Sequence, residues 1–212
     1  MALTLLQELT GVRVECFEVD GLRASIDPAP LDSWIEKQLE SARIETAQPE
    51  WEVRRDAVRG MLRAGGYKPS GRNKPAQEYL LRCLTDGNFP RIHPAVDCLN
   101  ALSVRIGLPI SMLTRDRFQD GVRLRLGRTG ERYVFNASGQ ELELENLMVA
   151  CGSVDAQEPL GSPVKDSMAG KIDETVSSIV CILYAPSAGV SETQLADWAA
   201  ELERSIQRFA TS

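Results

Sequence analysis

Three consecutive polar residues, Lys165, Asp166 and Ser167, have the side-chain chemistry that a site for a charged small molecule needs. A lysine ammonium binds a carboxylate or a phosphate, an aspartate accepts hydrogen bonds from an amino group, and a serine hydroxyl bonds a carbonyl or a water. The same triplet is typical of an ordinary turn with a local aspartate cap. Both interpretations stay open from these residues alone.

The basic residues are concentrated in one part of an acidic chain. The sequence has 24 Lys and Arg against 30 Asp and Glu, a net charge of −6, which disfavours general affinity for nucleic acids. Residues 54–82 nevertheless contain eight basic residues and two acidic ones. Within them the turn-rich loop 68–75 carries Arg72 and Lys74, which are either a contact for an anion or a solubilising surface.

The sequence contains none of the self-contained signatures of common enzyme classes. It has no phosphate-binding Walker loop, no G-x-S-x-G nucleophile elbow, no H-E-x-x-H zinc motif and no dinucleotide fingerprint. The single histidine, His93, precedes Pro94 and is interpreted as a helix cap. The five cysteines are odd in number, far apart and never in a C-x-x-C pair. We therefore expect no metal, no cofactor and no disulfide framework.

Composition predicts a single soluble α+β domain over residues 1–212. The hydrophobic share of 43% and the charged share of 25% are near globular averages. No segment has the run of apolar residues that a membrane span needs, and the first residues lack an export signal. We expect a cytoplasmic location and no membrane partner.

Hydrophobic periodicity predicts the elements that must position the polar side chains. Together they indicate a mostly antiparallel or mixed sheet flanked by helices. An N-terminal hairpin is expected to turn at Asp20-Gly21, between strands at 12–19 and 22–26. Helices are expected at 31–47, 49–64, 76–85 and 94–106, with a C-terminal helix capped by Ser191. Further strands are expected at 122–126, 132–135, 147–151 and 177–184, the last of them buried and central.

One ordered series of short motifs extends over the middle of the chain. It runs from Leu81-Arg82-Cys83 through Gly87-x-Phe89-Pro90-Arg91-Ile92-His93-x-x-Val96-Asp97-x-x-Asn100-x-x-Ser103 to Gly107-Leu108-Pro109. It continues with Leu124-Arg125, Gly130-Glu131, Gly139, Pro163-Val164-Lys165-Asp166-Ser167 and Asp173-Glu174-Thr175. The series resembles the B3/B4 editing module of the phenylalanyl-tRNA synthetase beta subunit. The resemblance covers about residues 67–185, and Pro69-Ser70-x-Arg72 resembles the entry motif of free-standing members.

The resemblance implies a B3/B4-like fold and an aminoacyl-tRNA ester as the substrate class. In the synthetase this module hydrolyses the ester of tyrosine wrongly attached to the phenylalanine tRNA. The implied activity is therefore hydrolysis of mis-acylated tRNA, which maintains the fidelity of translation. Hydrolysis of an activated ester needs its carbonyl and a water held together, with donors where the oxyanion forms. It does not require a protein nucleophile.

Carried over by position, the family pattern implies Asn100 and Ser111 as catalytic residues. Asn100 matches the pocket asparagine, whereas Ser111 stands where the family has histidine. Leu99 replaces a threonine, and the family glutamate falls at or near Cys181. The implied substrate-binding residues are Arg72, Lys74, Leu99, Lys165, Asp166, Ser167 and Cys181. Without the glutamate, little preference for tyrosine over phenylalanine is expected.

Three functions stay open from the sequence. The first is a hydrolase acting in trans on mis-acylated tRNA, with Arg72 and Lys74 reaching the phosphates of the acceptor end. The second is a non-catalytic module that binds a free amino acid or a similar small ligand. The third is an interaction scaffold for RNA or protein. The oligomeric state does not follow from the sequence.

Overall fold

The computed structural model describes residues 4–23, 27–118, 121–152 and 158–211. The α-helices in these ranges are Pro28–Thr46 (α1), Pro49–Ala64 (α2), Ala76–Thr85 (α3), Pro94–Ile106 (α4) and Glu192–Ala210 (α5). The strands are Thr4–Gln7 (β1), Val12–Asp20 (β2), Ile110–Thr114 (β3), Gly121–Leu126 (β4), Arg132–Val134 (β5), Glu141–Glu143 (β6), Met148–Cys151 (β7), Pro159–Gly161 (β8) and Ser178–Pro186 (β9). The α+β class, with mixed and antiparallel sheets flanked by helices, is confirmed.

The described strands form three sheets, and β9 is the central strand of one of them. That sheet has the order β2-β9-β3 and is antiparallel throughout. A second sheet has the order β1-β4-β7-β8, in which β1 runs parallel to β4. The third sheet consists of the antiparallel pair β5 and β6. Every residue of β9 from Ile179 to Pro186 is buried, as its continuous apolar run predicts.

Local sequence signals fix the helix ends. The Nδ1 atom of His93 accepts a hydrogen bond from the Ala95 amide at 3.2 Å, which confirms its interpretation as a cap. Gly107 closes α4 with a φ of 69°, a conformation that glycine adopts without strain. The Ser191 side chain accepts from the Gln194 amide at the start of α5. These polar and glycine boundaries place α4 and α5 where the sequence predicts them.

The expected N-terminal hairpin differs from the observed chain path. β2 pairs with β9 along its whole length. After Gly21, the Leu22 amide donates to the Ser177 carbonyl and the Arg23 amide donates to the Ala210 carbonyl. The chain therefore does not turn back along β2 at Leu22 and Arg23, because their amides donate to carbonyls next to β9 and at the end of α5. The rest of the expected second strand, at 24–26, lies outside the described residues.

The β2-β9-β3 sheet has two differently covered faces. Ser111 pairs with Ile182, and Met112 pairs with Cys181. Because paired residues share a face and successive residues alternate, Ser111 and Cys181 point to opposite sides. The helices α4 and α5 pack on the Cys181 side, which we call the helix face. The loop that follows β8 packs on the Ser111 side, which we call the loop face.

Candidate functional site

The segment 161–167, here named the Asp166 loop, places a carboxylate on the loop face. Oδ1 of Asp166 accepts hydrogen bonds from the Ser111 hydroxyl at 2.6 Å and from the Ser162 amide at 3.3 Å. Oδ2 accepts from the Met112 amide at 3.2 Å. Ser111 is completely buried, whereas Asp166 is only half-buried. Ser111 is therefore closed to solvent, whereas Asp166 as a whole residue is partly exposed.

A buried network of hydroxyl groups supports this carboxylate. The Tyr184 hydroxyl of β9 donates to Ser111 Oγ at 3.0 Å. The Tyr133 hydroxyl of β5 donates to Ser162 Oγ at 2.9 Å, and the Ser162 hydroxyl lies 2.8 Å from the Lys165 carbonyl. Strands from two sheets thus bond to one loop. A buried network whose members are all bonded is rigid, so it fixes the position of the Asp166 side chain.

Burial dominates the electrostatics of the network. It raises the pKa of Asp166 to about 6, although hydrogen bonds from Ser111 and from the Met112 and Ser162 amides, and the charge of Lys171, lower it. Burial also raises the pKa of Tyr133 and of Tyr184 well above the usual value, so both phenols stay protonated. A carboxylate with a pKa near 6 is ionised at neutral pH and is suited to general-base work.

Gly161 makes the close approach of these groups possible. A Cβ atom at this position would lie 2.9 Å from Asp166 Oδ1, 3.1 Å from Ser111 Oγ and 2.9 Å from a methyl carbon of Leu113. Those distances are shorter than ordinary van der Waals contacts. The sequence alone does not distinguish Gly161 from other glycines, because the need for glycine arises only when β3 and the loop come together.

The two polar loops predicted from the sequence lie side by side. Nζ of Lys165 donates to the Arg72 carbonyl at 3.1 Å, and the Ala76 amide donates to the Pro163 carbonyl at 2.9 Å. In loop 68–75 the two prolines are buried, while the segment between them is exposed and includes Arg72 and Lys74. The buried ends hold the loop, so its basic side chains are presented beside the Asp166 loop.

A third basic residue joins this surface. Nζ of Lys171 donates to the Phe135 carbonyl, and Nζ of Lys165 lies 4.0 Å from the centre of the Phe135 ring. Burial lowers the pKa of Lys165, and the positive charges of Arg72 and Lys171 lower it further. We call Arg72, Lys165 and Lys171 the cation cluster. Among the residues that the structure describes, no salt bridge joins a member of this cluster to a carboxylate.

Two buried polar side chains near the Asp166 loop have no hydrogen-bond partner within the described part of the chain. Gln77 is fully buried, and neither its amide nitrogen nor its amide oxygen is bonded. It follows Ala76, whose amide bonds the Asp166 loop. The Tyr67 hydroxyl is also unpartnered, and Tyr67 acts electrostatically on Tyr133. An unsatisfied buried group costs about 1–3 kcal/mol, so a water or a ligand is expected to bond these atoms.

The remaining predicted site residues lie in other surroundings. Asn100 and Leu99 are buried in α4, and in the described ranges no hydrogen bond joins Asn100 to the Asp166 loop. Ser167 is buried, and its hydroxyl oxygen accepts from the Ala169 amide at 3.1 Å, as in a local turn. The role of Asn100 stays a prediction.

Cys181 does not share a surface with Ser111. It is fully buried on the helix face, and the pleat of β9 places it opposite to the loop face. Its neighbours Val180 and Ile182 lie on the Ser111 side of β9, as Tyr184 does, and both are apolar. β9 therefore supplies no carboxylate near Ser111 at these positions, and Asp166 is the carboxylate that contacts Ser111 on this face.

Comparison with known proteins adds no family assignment. No protein-family model matches the chain, and no curated protein is significantly similar to it. The described residues contain no group of three or more His, Cys, Asp or Glu side chains placed to hold a metal ion. Within the same ranges, no helix combines the length and the apolar character that a bilayer crossing requires.

Proposed function

We propose that this chain binds the aminoacylated end of a tRNA and hydrolyses a wrongly attached amino acid in trans, as its resemblance to the B3/B4 editing module implies. The observation that supports this proposal is the position of the Asp166 loop. On one side Asp166 lies 2.6 Å from Ser111 in a buried proton-donating network, and on the other Lys165 lies 3.1 Å from the Arg72 carbonyl. An aminoacyl ester next to phosphates needs both chemistries together.

Each part of the site has a defined role in this proposal. The cation cluster binds phosphates of the acceptor end. The ionised, half-buried Asp166 holds a water against the ester carbonyl and removes its proton. The water oxygen forms the new C–O bond, the ester C–O bond breaks, and the proton reaches the ribose oxygen, so the products are a free amino acid and a tRNA hydroxyl. Ser111 is a positioning residue, because it contacts Asp166 and is closed to solvent.

We expect weak selectivity between tyrosine and phenylalanine, because β9 supplies no carboxylate beside Ser111 to pair with a tyrosine hydroxyl. Selection by shape alone is worth about 1–3 kcal/mol per methylene-sized difference. We expect rates for matched tyrosyl and phenylalanyl tRNAs to differ by no more than this range allows. A much larger preference for tyrosine would assign Asp166 to the substrate hydroxyl instead of the water.

Deacylation of a panel of mis-acylated tRNAs tests the proposal. The wild-type chain is expected to release the amino acid from at least one ester, and Asp166→Asn is expected to slow the release by about 10²-fold or more. Asp116→Asn is the matched control, since Asp116 is an exposed carboxylate. Circular dichroism and thermal unfolding establish that each variant is folded. Release from no ester, or a folded Asp166→Asn chain as fast as wild type, contradicts the proposal.

The second candidate is a non-catalytic module for a free amino acid or a similar ligand. The polar atoms of Gln77 and Tyr67, which have no partner among the described residues, favour it, because they are the kind of groups that bond a small polar molecule. Thermal unfolding with a panel of amino acids tests this candidate, since a ligand at 100 times its Kd stabilises by about 2.7 kcal/mol. If an amino acid raises the unfolding temperature, Gln77→Met abolishes this effect and the wild-type chain has no deacylase activity, the binding module is the correct function and the hydrolase proposal is rejected.

A further inference from the structure

Lys171 differs from the other two members of the cation cluster in its relation to Asp166. Burial lowers the pKa of Lys171, and the charge of Asp166 opposes this shift. Burial raises the pKa of Asp166, and the charge of Lys171 is among the effects that oppose it. The pKa of Lys165 is lowered by burial and by the charges of Arg72 and Lys171. Lys171 is thus the member of the cluster whose charge acts on the carboxylate.

The backbone of Lys171 belongs to a turn that is fixed to two strands. The Lys171 amide donates to the Ser167 carbonyl at 3.1 Å, and the Thr114 amide at the end of β3 donates to the Gly170 carbonyl at 2.8 Å. A Cβ atom at Gly170 would lie 3.3 Å from the Leu160 carbonyl oxygen of β8, so the turn packs closely on that strand. The strands β3 and β8 therefore hold both this turn and the Asp166 loop.

The ammonium group of Lys171 has hydrogen atoms available for a ligand. Its Nζ atom donates to the Phe135 carbonyl, which occupies one of the three N–H groups of an ammonium. Lys171 is exposed as a whole residue, and in the described ranges it forms no salt bridge with Asp166 or with another carboxylate. An ammonium and a carboxylate that attract each other without contact can act on one substrate group from two sides.

We propose that Lys171 is a catalytic residue of the hydrolysis, whose ammonium donates a hydrogen bond to the ester carbonyl oxygen. This inference rests on the proposed function. As the water oxygen bonds to the carbonyl carbon, Asp166 takes a proton from the water, and the C=O electron pair moves onto the oxygen that Lys171 contacts. The pair returns when the ester C–O bond breaks, and Asp166 gives the proton to the ribose oxygen. Lys171 keeps its own protons throughout.

This role divides the cation cluster into two parts. Nζ of Lys165 donates to the Arg72 carbonyl at 3.1 Å, so these two cations lie at loop 68–75 and remain for the phosphates. A donor for an oxyanion must be in place before the charge develops, because reorganisation during the reaction would add to the barrier. The bond to the Phe135 carbonyl and the fixed turn hold Lys171 in this way.

Steady-state deacylation of the ester that the wild-type chain cleaves fastest tests this role, because it separates kcat from KM. Lys171→Met is expected to lower kcat by about 10²- to 10³-fold, the loss of one oxyanion donor, with KM nearly unchanged at low and high salt. Lys171→Arg keeps the charge and is expected to recover part of this loss. Arg72→Met is expected instead to raise KM in a salt-dependent way, because it removes a phosphate contact. Lys37→Met, which removes an exposed lysine of α1, is the matched control and is expected to behave as wild type.

The outcomes separate this inference from the hydrolase proposal. A wild-type chain that cleaves no ester rejects both. A wild-type chain that deacylates, together with a folded Lys171→Met chain that keeps its kcat, overturns the catalytic role of Lys171 and leaves the hydrolase standing. If that variant instead shows only a salt-dependent rise in KM, Lys171 binds a phosphate as Arg72 does, and the catalytic role is again rejected. Thermal unfolding establishes that each variant is folded.

Discussion

The hydroxyl oxygen of Ser111 lies 2.6 Å from Oδ1 of Asp166, a residue 55 positions further along the chain. Tyr184 donates to the same serine oxygen at 3.0 Å, so the serine proton is directed at the carboxylate. The hydrogen bonds therefore run in one direction, from β9 through β3 to the Asp166 loop. This short chain of donors holds the Asp166 carboxylate in place.

Replacing Gly161 by alanine should destabilise the protein. The new methyl would lie 2.9 Å from Asp166 Oδ1, so the Asp166 side chain would have to move away from Ser111. We expect the free energy of unfolding to fall by about 1–3 kcal/mol. Gly60→Ala is the matched control, because a Cβ there meets nothing within 4 Å and the residue lies inside α2. That change should stabilise by about 0.5–1 kcal/mol. Urea unfolding measures both, and equal effects would contradict the close packing at Gly161.

The stability of the protein should carry the pH signature of Asp166. Its pKa is raised from 3.8 to about 6 on folding, so between these values the folded state binds more protons than the unfolded state. Protonated Asp166 therefore contributes up to about 3 kcal/mol to the free energy of unfolding below pH 4, and this contribution is lost as the pH rises to about 6. The difference in unfolding free energy between wild type and Asp166→Asn should therefore fall between pH 4 and pH 7 and then stay constant. A difference that rises with pH would mean that the hydrogen bonds outweigh burial.

Replacing Gln77 by methionine should leave the ligand-free protein equally stable or more stable. The amide is fully buried and has no partner among the described residues, and an apolar side chain of similar shape removes its desolvation penalty of about 1–3 kcal/mol. Gln77→Glu should be strongly destabilising at neutral pH, because it buries an unpaired charge. Thermal unfolding compares the two variants. A clear loss of stability in Gln77→Met would show that an ordered water already bonds the amide.

Affinity for tRNA should depend on loop 68–75 and not on α5. Replacing Arg72 and Lys74 by alanine removes two exposed charges, so binding should weaken at low salt and the salt slope should fall by roughly 1 for each phosphate that is no longer bound. The Lys165 bond survives, since it uses the Arg72 carbonyl. The control replaces Arg204 and Arg208 of α5, which packs on the helix face. Filter binding at several salt concentrations compares the two double variants, and equally weakened binding would remove the loop from the proposed site.

Helices were predictable because their signals are local. Pro94 and Gly107 mark the two ends of α4, and the left-handed φ of 69° at Gly107 depends on that residue alone. Some short strands carry no such signal, although β4, β5 and β7 lie where the sequence predicts them. β1 and β3 were missed because each is defined by a partner far away in the chain, as in the pairing of Thr4 with Gly121.

The site was predictable in part. The chemistry of the Arg72, Lys165 and Asp166 side chains marks them as candidates in the sequence, whereas the residues that surround them in the fold cannot be recognised in this way. Tyr184 belongs to an apolar strand, and only the pairing of β9 with β3 directs its hydroxyl to Ser111. The same pairing places Cys181 on the opposite face, which residue types alone cannot reveal.

The central position of β9 also governs when the sheet can form. β2 pairs with β9 along its whole length, from the pair Val12 and Pro186 to the pair Asp20 and Ser178. During synthesis, β2 therefore lacks its partner strand until more than 150 further residues have been added. Contacts of such long sequence separation slow folding and leave a strand edge open to wrong partners. A ribosome-bound chain that ends before Ser178 should accordingly depend on chaperones, whereas one that extends past Pro186 has the strand that covers this edge.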